Sequence, residues 1–247
     1  MISIPSRHLV RHLHLDGRQH IALVGGGGKS TTLFSLSSQL TGRIIATTTT
    51  KMGGRQTGNL EVLTNPTDDE VREATRRQSI FVRSAVRDGK SIGVASERCD
   101  RWFTDAELCD SIVVEADGAR HRPFKAPGPL EPVIPATATV LMSLIGADAI
   151  GRVIADQCQR PLRVAALAKC SPYERLTPER AATVLLDSRG SAKSLPEGAR
   201  HIVVITKVPT VDRDPVTHDL AASLYDLLAH NVEVAAIDFE LPDYPRV

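Results

Sequence analysis

The chain has 247 residues, of which 42% are hydrophobic and 24% charged, as in an ordinary globular protein. This length suits one α/β domain with an elaboration or two small domains, and we treat residues 1–247 as a single domain. A formal net charge of +1 gives no overall basic field and argues against a nucleic-acid-binding protein. No apolar run is long enough to span a membrane, and the four cysteines form no C-x-x-C pair. We therefore expect a cytoplasmic protein without a zinc site.

Residues 1–19 alternate polar and apolar side chains and lack the apolar core of a signal peptide. His8 and His12 are four residues apart, so a helix would place both on one face, where they could bind a metal ion. We interpret this segment instead as a solvated N-terminal arm or helix.

The stretch from Ile21 to Thr32 has the pattern of a phosphate-binding loop. Four apolar residues predict a buried strand and four glycines predict a tight turn. Lys29 follows, and then three hydroxyl residues open a helical run, Leu33–Leu40. Glycines let successive N–H groups face one anion, and the helix start adds its own N–H groups and positive dipole end. Lys29 would contact the β- and γ-phosphates, and the Ser30 hydroxyl would bind Mg²⁺. The predicted nucleotide ligands are Gly25, Gly26, Gly27, Gly28, Lys29, Ser30 and Thr31.

This loop departs from the common pattern G-x-x-x-x-G-K-[ST]. The first glycine should stand at Leu23, so the loop is shortened and is closer to a variant in which several glycines directly precede the lysine. That variant usually has a second lysine where this chain has Val24. The dinucleotide pattern G-x-G-x-x-G fits worse, because its third glycine falls on Ser30 and Lys29 stays unexplained. A glycine turn that binds nothing is the remaining alternative.

Four consecutive threonines, Thr47–Thr50, end the next predicted strand, which begins at Ile44. Ligands of open α/β sheets lie beyond the carboxyl ends of the strands, so these hydroxyls should lie near the phosphates. We predict that Thr48 joins Ser30 at Mg²⁺ and that Thr49 contacts the substrate or the γ-phosphate. The alternative is that the β-branched threonines continue a half-exposed strand. Residues 53–58 then predict a mobile loop, a candidate switch.

The middle of the chain predicts further elements of an α/β fold. A hairpin signal at Asp88–Lys90 joins two predicted strands and would add antiparallel strands to the edge of a mainly parallel sheet. The predicted elements are a strand at Leu60–Leu63, a helix at Thr67–Arg77, strands at Ser79–Val86 and Ser91–Ala95, and a helix at Glu97–Leu108.

Two carboxylates, Glu115 and Asp117, end the apolar run that begins at Ser111. Residues two apart in a strand point to the same side, so both acids would face the phosphate-binding loop, as in a Walker B motif. We assign Asp117 to Mg²⁺ and Glu115 to orienting water or an acceptor, and we group both with Lys29 as catalytic. A capped Asp-Gly turn without a ligand is the alternative.

A segment with five prolines, residues 120–135, follows the acidic pair directly and predicts a rigid irregular loop. Arg120, Arg122 and Lys125 make it positively charged, so it could face phosphate or an anionic substrate. A solvated basic loop explains the same charges.

The order of these motifs is similar to that of one protein family. Residues 24–32, 47–52 and 115–120, followed by Pro123–Pro127 and Glu131–Pro135, resemble the YqeC family, accessory proteins for selenium-dependent molybdenum hydroxylases. The resemblance implies a cytoplasmic P-loop protein in selenium or molybdenum cofactor maturation, with a client molybdenum hydroxylase or a cofactor-assembly protein as partner. It also implies that Lys125 and Glu131 line a site. The resemblance therefore indicates the pathway in which the protein acts but not any reaction that it catalyses.

Near the end of the chain, Lys207 follows a predicted strand in the sequence Thr206-Lys207-Val208-Pro209, where GTPases place Asn-Lys-x-Asp. Lys207 could still stack on a base, but the aspartate that recognises guanine is missing unless Asp212 replaces it, so ATP is favoured over GTP. The other predicted elements are strands at Thr139–Ala147, Ile202–Ile205 and Val232–Ile237, and helices at Leu162–Ala168, Pro178–Leu186 and Asp214–His230.

These elements predict an α/β protein with a P-loop NTPase-like three-layer fold: a mostly parallel sheet, helices on both faces and an antiparallel hairpin. The favoured function is Mg²⁺-dependent nucleotide binding with hydrolysis or γ-phosphate transfer. One alternative is a nucleotide-gated protein that delivers a cofactor or selenium species to a hydroxylase. Another is a nucleotidyl-transferring enzyme. We expect no nucleic-acid or membrane partner.

Overall fold

A computed structural model of the protein describes residues 1–238. Its centre is a nine-stranded sheet in which every neighbouring pair runs parallel. Its strands in chain order are β1 Ser3–Ile4, β2 His20–Gly25, β3 Ile44–Thr48, β5 Glu61–Thr64, β6 Ile80–Arg83, β9 Ser111–Glu115, β11 Val140–Gly146, β13 Arg200–Val208 and β14 Glu233–Asp238. The remaining strands are short: β4 Lys51–Gly53, β7 Ala85–Arg87, β8 Lys90–Ile92, β10 Phe124–Lys125 and β12 Cys158–Gln159.

Helices cover both faces of the sheet. The α-helices are α1 Leu9–His12, α2 Lys29–Gln39, α3 Asp68–Thr75, α4 Ser96–Thr104, α5 Ile154–Gln157, α6 Pro161–Leu167, α7 Pro178–Leu186 and α8 Pro215–Ala229. The predicted helices are present, but α4 ends at Thr104, four residues before the predicted Leu108, and the short helix α5 has no predicted counterpart. Short 3₁₀ turns lie at Ser6–His8 and Ala147–Ala149. All helices within residues 1–238 are too short or too polar to cross a bilayer.

The strand order places β2 at the centre of the sheet. The order is β1-β14-β13-β11-β2-β9-β3-β6-β5. After β2 the chain forms one half of the sheet, and from β11 onward it forms the other half, apart from the edge strand β1, which precedes β2 in the chain. Such a reversal leaves a crevice outside the carboxyl ends of the strands, where α/β proteins bind ligands. The glycine turn after β2 therefore lies at the position where this topology favours a ligand.

Successive side chains of the central strands point to opposite faces of the sheet, and both faces are covered, which gives three layers. Ile21 and Leu23 pack on one face against Leu33 and other side chains of α2. Ala22 and Val24 pack on the opposite face, under part of the proline-rich segment. Helices α6 to α8 cover one end of that second face, and α3 and α4 cover the other. The predicted fold class, a mostly parallel sheet between helical layers, is confirmed.

The predicted hairpin is present, but it does not extend the edge of the central sheet. The first predicted strand divides: β6 joins the parallel sheet, while β7 pairs with β8 around Asp88 and Gly89. Strand β4 pairs antiparallel with the other edge of β8 and completes a small three-stranded sheet. This small sheet follows the carboxyl end of β3, so it lies on the ligand side of the fold.

The N-terminal segment differs from the predicted solvated arm. Leu9, Leu13 and Leu15 are almost fully buried in the core shared with α2, and β1 pairs with β14 at the sheet edge. His8 and His12 are exposed on the other side of the segment. The apolar residues of the alternating pattern thus face the core, and the segment is part of the domain.

The buried His20, the first residue of β2, should make stability depend on pH. Burial, opposed by Asp100, lowers the pKa of His20 from 6.5 to about 4. The unfolded chain then binds a proton more readily than the native one. The stabilisation is present above pH 6.5 and is lost as the pH falls toward 4, by about 3 kcal/mol. Urea unfolding at pH 7 and pH 4.5 should show a smaller loss for His20→Leu than for the wild type. An equal loss would contradict this assignment.

Candidate functional site

A cavity of about 590 Å³ opens beyond the carboxyl ends of the central strands. Its size falls within the range of small-molecule sites. Only two carboxylates, Glu115 and Glu131, line it in the described part of the chain, against seven lysine and arginine side chains. The cavity lining therefore carries an excess of five positive charges in a chain whose formal net charge is +1, which favours an anionic ligand. The seven cations are Lys29, Lys51, Lys90, Arg120, Arg122, Arg160 and Lys207.

The glycine turn between β2 and α2 leaves a run of backbone donors without acceptors. The N–H groups of residues 27–31 make no hydrogen bond within residues 1–238, while the Gly26 N–H donates to the carbonyl of Leu144 at 3.0 Å. Residues 27–31 also line the cavity. Unpaired donors at a helix start, together with the positive end of the helix dipole, form an anion-binding site.

Close backbone approach explains why glycine is required in this turn. Gly25 and Gly27 have φ of 93° and 80°, in the left-handed region. A Cβ on Gly25 would lie 2.3 Å from the Leu144 carbonyl oxygen, and one on Gly27 would lie 2.2 Å from the Gly146 nitrogen. At Gly25 and Gly27 the turn therefore packs directly against the backbone of β11, and neither position has room for a side chain.

Replacing Gly27 by alanine should destabilise the protein by about 3 kcal/mol, because backbone strain and the overlap with β11 add together. The matched control is Gly17→Ala, since Gly17 also has a positive φ of 75° but a Cβ there would have no neighbour within 4 Å. That control should cost about 1 kcal/mol. Urea unfolding measures both variants, and equal costs would show that the close approach is not what selects glycine.

Lys29 is held at the base of the turn. Its ammonium donates to the Gly25 carbonyl at 2.6 Å and lies 3.3 Å from Asp117 and 3.9 Å from Glu115. Only 5% of the residue is exposed, and it lines the cavity. A buried cation beside unpaired N–H groups is suited to neutralise a phosphate.

Ser30 pairs with Glu115 and not with Asp117. The Ser30 hydroxyl donates to Glu115 Oε2 at 3.0 Å, and both residues line the cavity. Burial raises the pKa of Glu115, and the nearby Lys29 and Ser30 oppose that rise. A hydroxyl and a carboxylate this close offer two oxygen ligands on one side of the cavity.

Asp117 lies beneath the glycine turn and does not line the cavity. Strand β9 ends at Glu115, so the same-side rule for residues two apart does not extend to Asp117. Its carboxylate accepts from the Gly25 N–H at 3.1 Å and is 3.3 Å from Lys29 and 3.0 Å from Lys125. At 1% exposure, Asp117 holds the turn and two lysines together.

Lys125 is also buried beneath the cavity and does not line it. Its ammonium donates to Glu131 at 2.6 Å and to the Gly118 carbonyl at 2.7 Å, in addition to its contact with Asp117. Glu131 lines the cavity but accepts two further bonds from Arg160, at 2.9 and 3.1 Å. Burial tends to raise the pKa of Glu131, but the bonds from Arg160 and Lys125 outweigh it and lower the pKa.

These contacts form one chain of alternating charges, which we call the buried ion chain: Lys29, Asp117, Lys125, Glu131 and Arg160. It connects the glycine turn with the proline-rich segment and the start of α6. Direct contact of Lys125 with a substrate is not what the structure shows, because this side chain is enclosed and paired.

The threonine run is mainly structural. Thr48 is fully buried; its hydroxyl donates to the Glu115 carbonyl at 2.9 Å and accepts from the Thr50 N–H. The Thr49 hydroxyl donates to the Val133 carbonyl at 2.6 Å. Neither residue lines the cavity, whereas Thr50 does. The roles predicted for Thr48 at Mg²⁺ and for Thr49 at the substrate therefore stay predictions, and the structure places both hydroxyls outside the cavity wall.

Lys207 lies where predicted, at the carboxyl end of β13 and in the cavity wall. Its ammonium contacts Asp148 at 2.7 Å, across from the end of β11. The preceding Thr206 donates its hydroxyl to the Gly27 carbonyl and so supports the turn. Asp212 is exposed and does not line the cavity, so Asp148 is the carboxylate beside Lys207.

Other cavity residues received no predicted role. Arg160 precedes a Pro at the start of α6, a signal for a helix start and not for a ligand. Lys90 lies in a hairpin, and Lys51 follows the threonines without a motif of its own. Arg120 does lie in the cavity wall as predicted, with a left-handed φ of 49°.

The donor set suits a magnesium ion held mainly by phosphate. Within residues 1–238, no group of three or more His, Cys, Asp or Glu side chains could hold a metal ion by itself. Mg²⁺ instead prefers one or two protein oxygens with phosphate and water completing its shell. Ser30 and Glu115, 3.0 Å apart and open to the cavity, fit that requirement.

Comparison with known proteins identifies the family. A protein of Escherichia coli (strain K12) described as "Uncharacterized protein YqeC" is 27% identical over 233 residues, which is 92% of this chain and 89% of the relative. No solved structure matches the chain significantly. The family model described as "YqeC protein" matches residues 21–162, more than half of the chain and the span that holds the glycine turn and the buried ion chain. The chain therefore belongs to the YqeC family.

Proposed function

We propose that this protein binds a Mg²⁺–nucleoside triphosphate in the cavity and hydrolyses it or transfers its γ-phosphate. The observation that carries the proposal is the run of five unpaired N–H groups, residues 27–31, in a cavity with five excess positive charges. Lys29 and the start of α2 complete an anion site at the centre of the sheet. Positioning and electrostatics, without a covalent intermediate, are sufficient for phosphoryl transfer.

The proposed roles follow from the contacts. The turn N–H groups and Lys29 bind the phosphates, and Asp117 orients Lys29 from below. Ser30 and Glu115 would hold Mg²⁺, which, when bound, neutralises charge on the phosphate oxygens. This assignment exchanges the two carboxylates relative to the prediction from sequence, because Glu115 faces the cavity and Asp117 does not.

The nucleoside is proposed to lie toward Lys207. This residue lies at the carboxyl end of β13, and its aliphatic stem can pack on a base while Asp148 holds the ammonium. The phosphates then extend toward Glu115 and Thr50 on the other side of the turn. ATP is the favoured nucleotide, because no carboxylate follows Lys207 in the position that recognises guanine.

Membership of the YqeC family supports a place in selenium or molybdenum cofactor maturation, as the sequence resemblance implies. A client molybdenum hydroxylase or a cofactor-assembly protein would be the partner. A second candidate is a nucleotide-gated delivery protein. One feature favours it: Thr50 lines the cavity and directly precedes β4 of the small sheet, so a nucleotide in the cavity could alter the position of that sheet.

Product analysis tests the proposed reaction. Purified protein is incubated with Mg²⁺ and ATP or GTP, and phosphate and pyrophosphate are measured separately. We expect phosphate release that Lys29→Ala abolishes and the exposed-site control Lys169→Ala does not change. Pyrophosphate release would instead indicate nucleotidyl transfer, and turnover that survives Lys29→Ala would contradict the proposal. Turnover only with a partner protein would favour the gated delivery protein.

A further inference from the structure

The small antiparallel sheet presents two lysines to the cavity. Gly53 lies opposite Lys90, and Lys51 lies two residues from Gly53, so both lysines leave the same face of the sheet. Met52 and Ser91 form the neighbouring pair and are buried on the other face. The diagonal arrangement separates the lysine Cα atoms by about 7–8 Å, close enough for both to contact one small ion.

Neither lysine has a counter-ion. The ammonium groups of Lys51 and Lys90 make no hydrogen bond or ion pair within residues 1–238, and the same holds for the side chain of Arg120 in the cavity wall. Other cations of the wall are engaged: Lys29 with Asp117, and Lys207 with Asp148. Arg122 has no carboxylate partner within residues 1–238 either, but its side chain donates to the Asp156 carbonyl. The cations of the wall that lack any side-chain hydrogen bond or ion pair in this range are therefore the lysine pair and Arg120.

The lysine pair lies to one side of the phosphate-binding turn. Strand β3, which leads into β4, is two strands from β2, a lateral distance of about 10 Å. Lys207 lies at the carboxyl end of β13, which is two strands from β2 in the opposite direction. A nucleotide with its base toward Lys207 would thus place its terminal phosphate on the side of the lysine pair.

Charge balance indicates a second ligand. A nucleoside triphosphate carries about four negative charges at neutral pH, because its terminal phosphate has a second pKa near 6. The lining has an excess of five positive charges, and the adjoining Lys125, Asp117 and Asp148 reduce it to about four. A nucleoside triphosphate with Mg²⁺ bound carries about two net negative charges, so about two positive charges remain uncompensated.

The geometry points to a second anion subsite formed by Lys51, Lys90 and Arg120, which takes a small ligand with two or more negative charges, such as a phosphate monoester or a related oxyanion. This inference rests on the proposed function, because the subsite lies beside the terminal phosphate only if the turn binds a nucleotide. The bound anion would be the second substrate of the cavity.

The test is a calorimetric titration of inorganic phosphate into protein saturated with a non-hydrolysable Mg²⁺–nucleotide, at low ionic strength. We expect one phosphate site, weakened about tenfold by Lys51→Gln or by Lys90→Gln and about a hundredfold by both. Nucleotide affinity should change less than about threefold in the same variants. The matched control is Arg76→Gln with Lys169→Gln, which removes two exposed charges outside the cavity and should change neither affinity.

Several outcomes would overturn the subsite. Phosphate binding that is unaffected by the lysine variants excludes it, and equal losses for phosphate and nucleotide would place the lysines in the nucleotide site. A glutamate peptide that binds where phosphate does not would indicate docking of an acidic protein. If the wild type binds no nucleotide, the proposed function fails. In that case phosphate is titrated into Lys29→Ala and into the same variant that also carries Lys51→Gln and Lys90→Gln. A lower phosphate affinity in the second protein would support the subsite, and equal affinities would exclude it.

Discussion

Replacing Glu115 by glutamine is expected to weaken binding of the Mg²⁺–nucleotide complex about a hundredfold, equivalent to about 3 kcal/mol. The amide keeps the hydrogen bond from Ser30, 3.0 Å away, but loses the charge that a magnesium ion requires. Binding of the metal-free nucleotide should not weaken, because the variant removes a negative charge from the phosphate site. Calorimetric titrations with Mg²⁺ and with EDTA measure the two affinities.

The pH dependence of Mg²⁺–nucleotide affinity is an independent test of the role of Glu115. Burial raises the pKa of this carboxyl, and only its ionised form binds a metal ion. Affinity for Mg²⁺–nucleotide should therefore increase with pH across the acidic range and level off once Glu115 is ionised. The increase should be smaller in Glu115→Gln, where only the terminal phosphate of the nucleotide, with a pKa near about 6, still titrates. If Asp117→Asn removes the magnesium dependence while Glu115→Gln retains it, the metal belongs to Asp117.

Replacing Asp117 by asparagine is expected to destabilise the fold by about 3–5 kcal/mol. The variant preserves the shape of the side chain but leaves the fully buried Lys125 with Glu131 as its only anionic partner, and it removes the closer carboxylate from Lys29. Removing one carboxylate from a buried group of charges leaves the remaining cations only partly compensated, which costs more than the original pairs contributed. Urea unfolding should show the loss, with exposed Asp212→Asn as the control within about 0.5 kcal/mol of the wild type.

A double variant separates the loss of charge compensation from the loss of packing at Asp117. In Asp117→Asn combined with Lys125→Met, the cation that lost its partner is removed as well, so stability should recover by at least about 1 kcal/mol relative to Asp117→Asn alone. Strictly additive losses would show that Lys125 and Asp117 do not interact across the 3.0 Å that separates them.

The parts of this molecule that could be predicted are those encoded in contiguous residues. Alternation in the central strands is sufficient for the layered α/β fold, and the glycines before Lys29 and Ser30 indicate the turn at the start of α2. These features depend on local backbone geometry and on side-chain periodicity, which the sequence shows directly.

The roles of the acidic and basic residues could not be predicted in the same way. Glu115 and Asp117 differ because β9 ends at Glu115, so the rule that residues two apart share a side does not extend to Asp117. Lys125 pairs with Asp117, and Arg160 pairs with Glu131 29 positions earlier. The charges of the proline-rich segment fit either a buried network or a solvated loop, and only the folded chain decides between them.

Titration of Mg²⁺ with ATP, and separately with GTP, into the wild type and Lys29→Ala is the decisive test of the proposed nucleotide site. We predict one bound nucleotide per chain and an affinity at least about a hundredfold lower in Lys29→Ala. The variant should stay folded, because Asp117 keeps its bonds from Gly25 and Lys125. Absence of binding to the wild type, or equal affinities in the two proteins, would contradict a phosphate site at this turn.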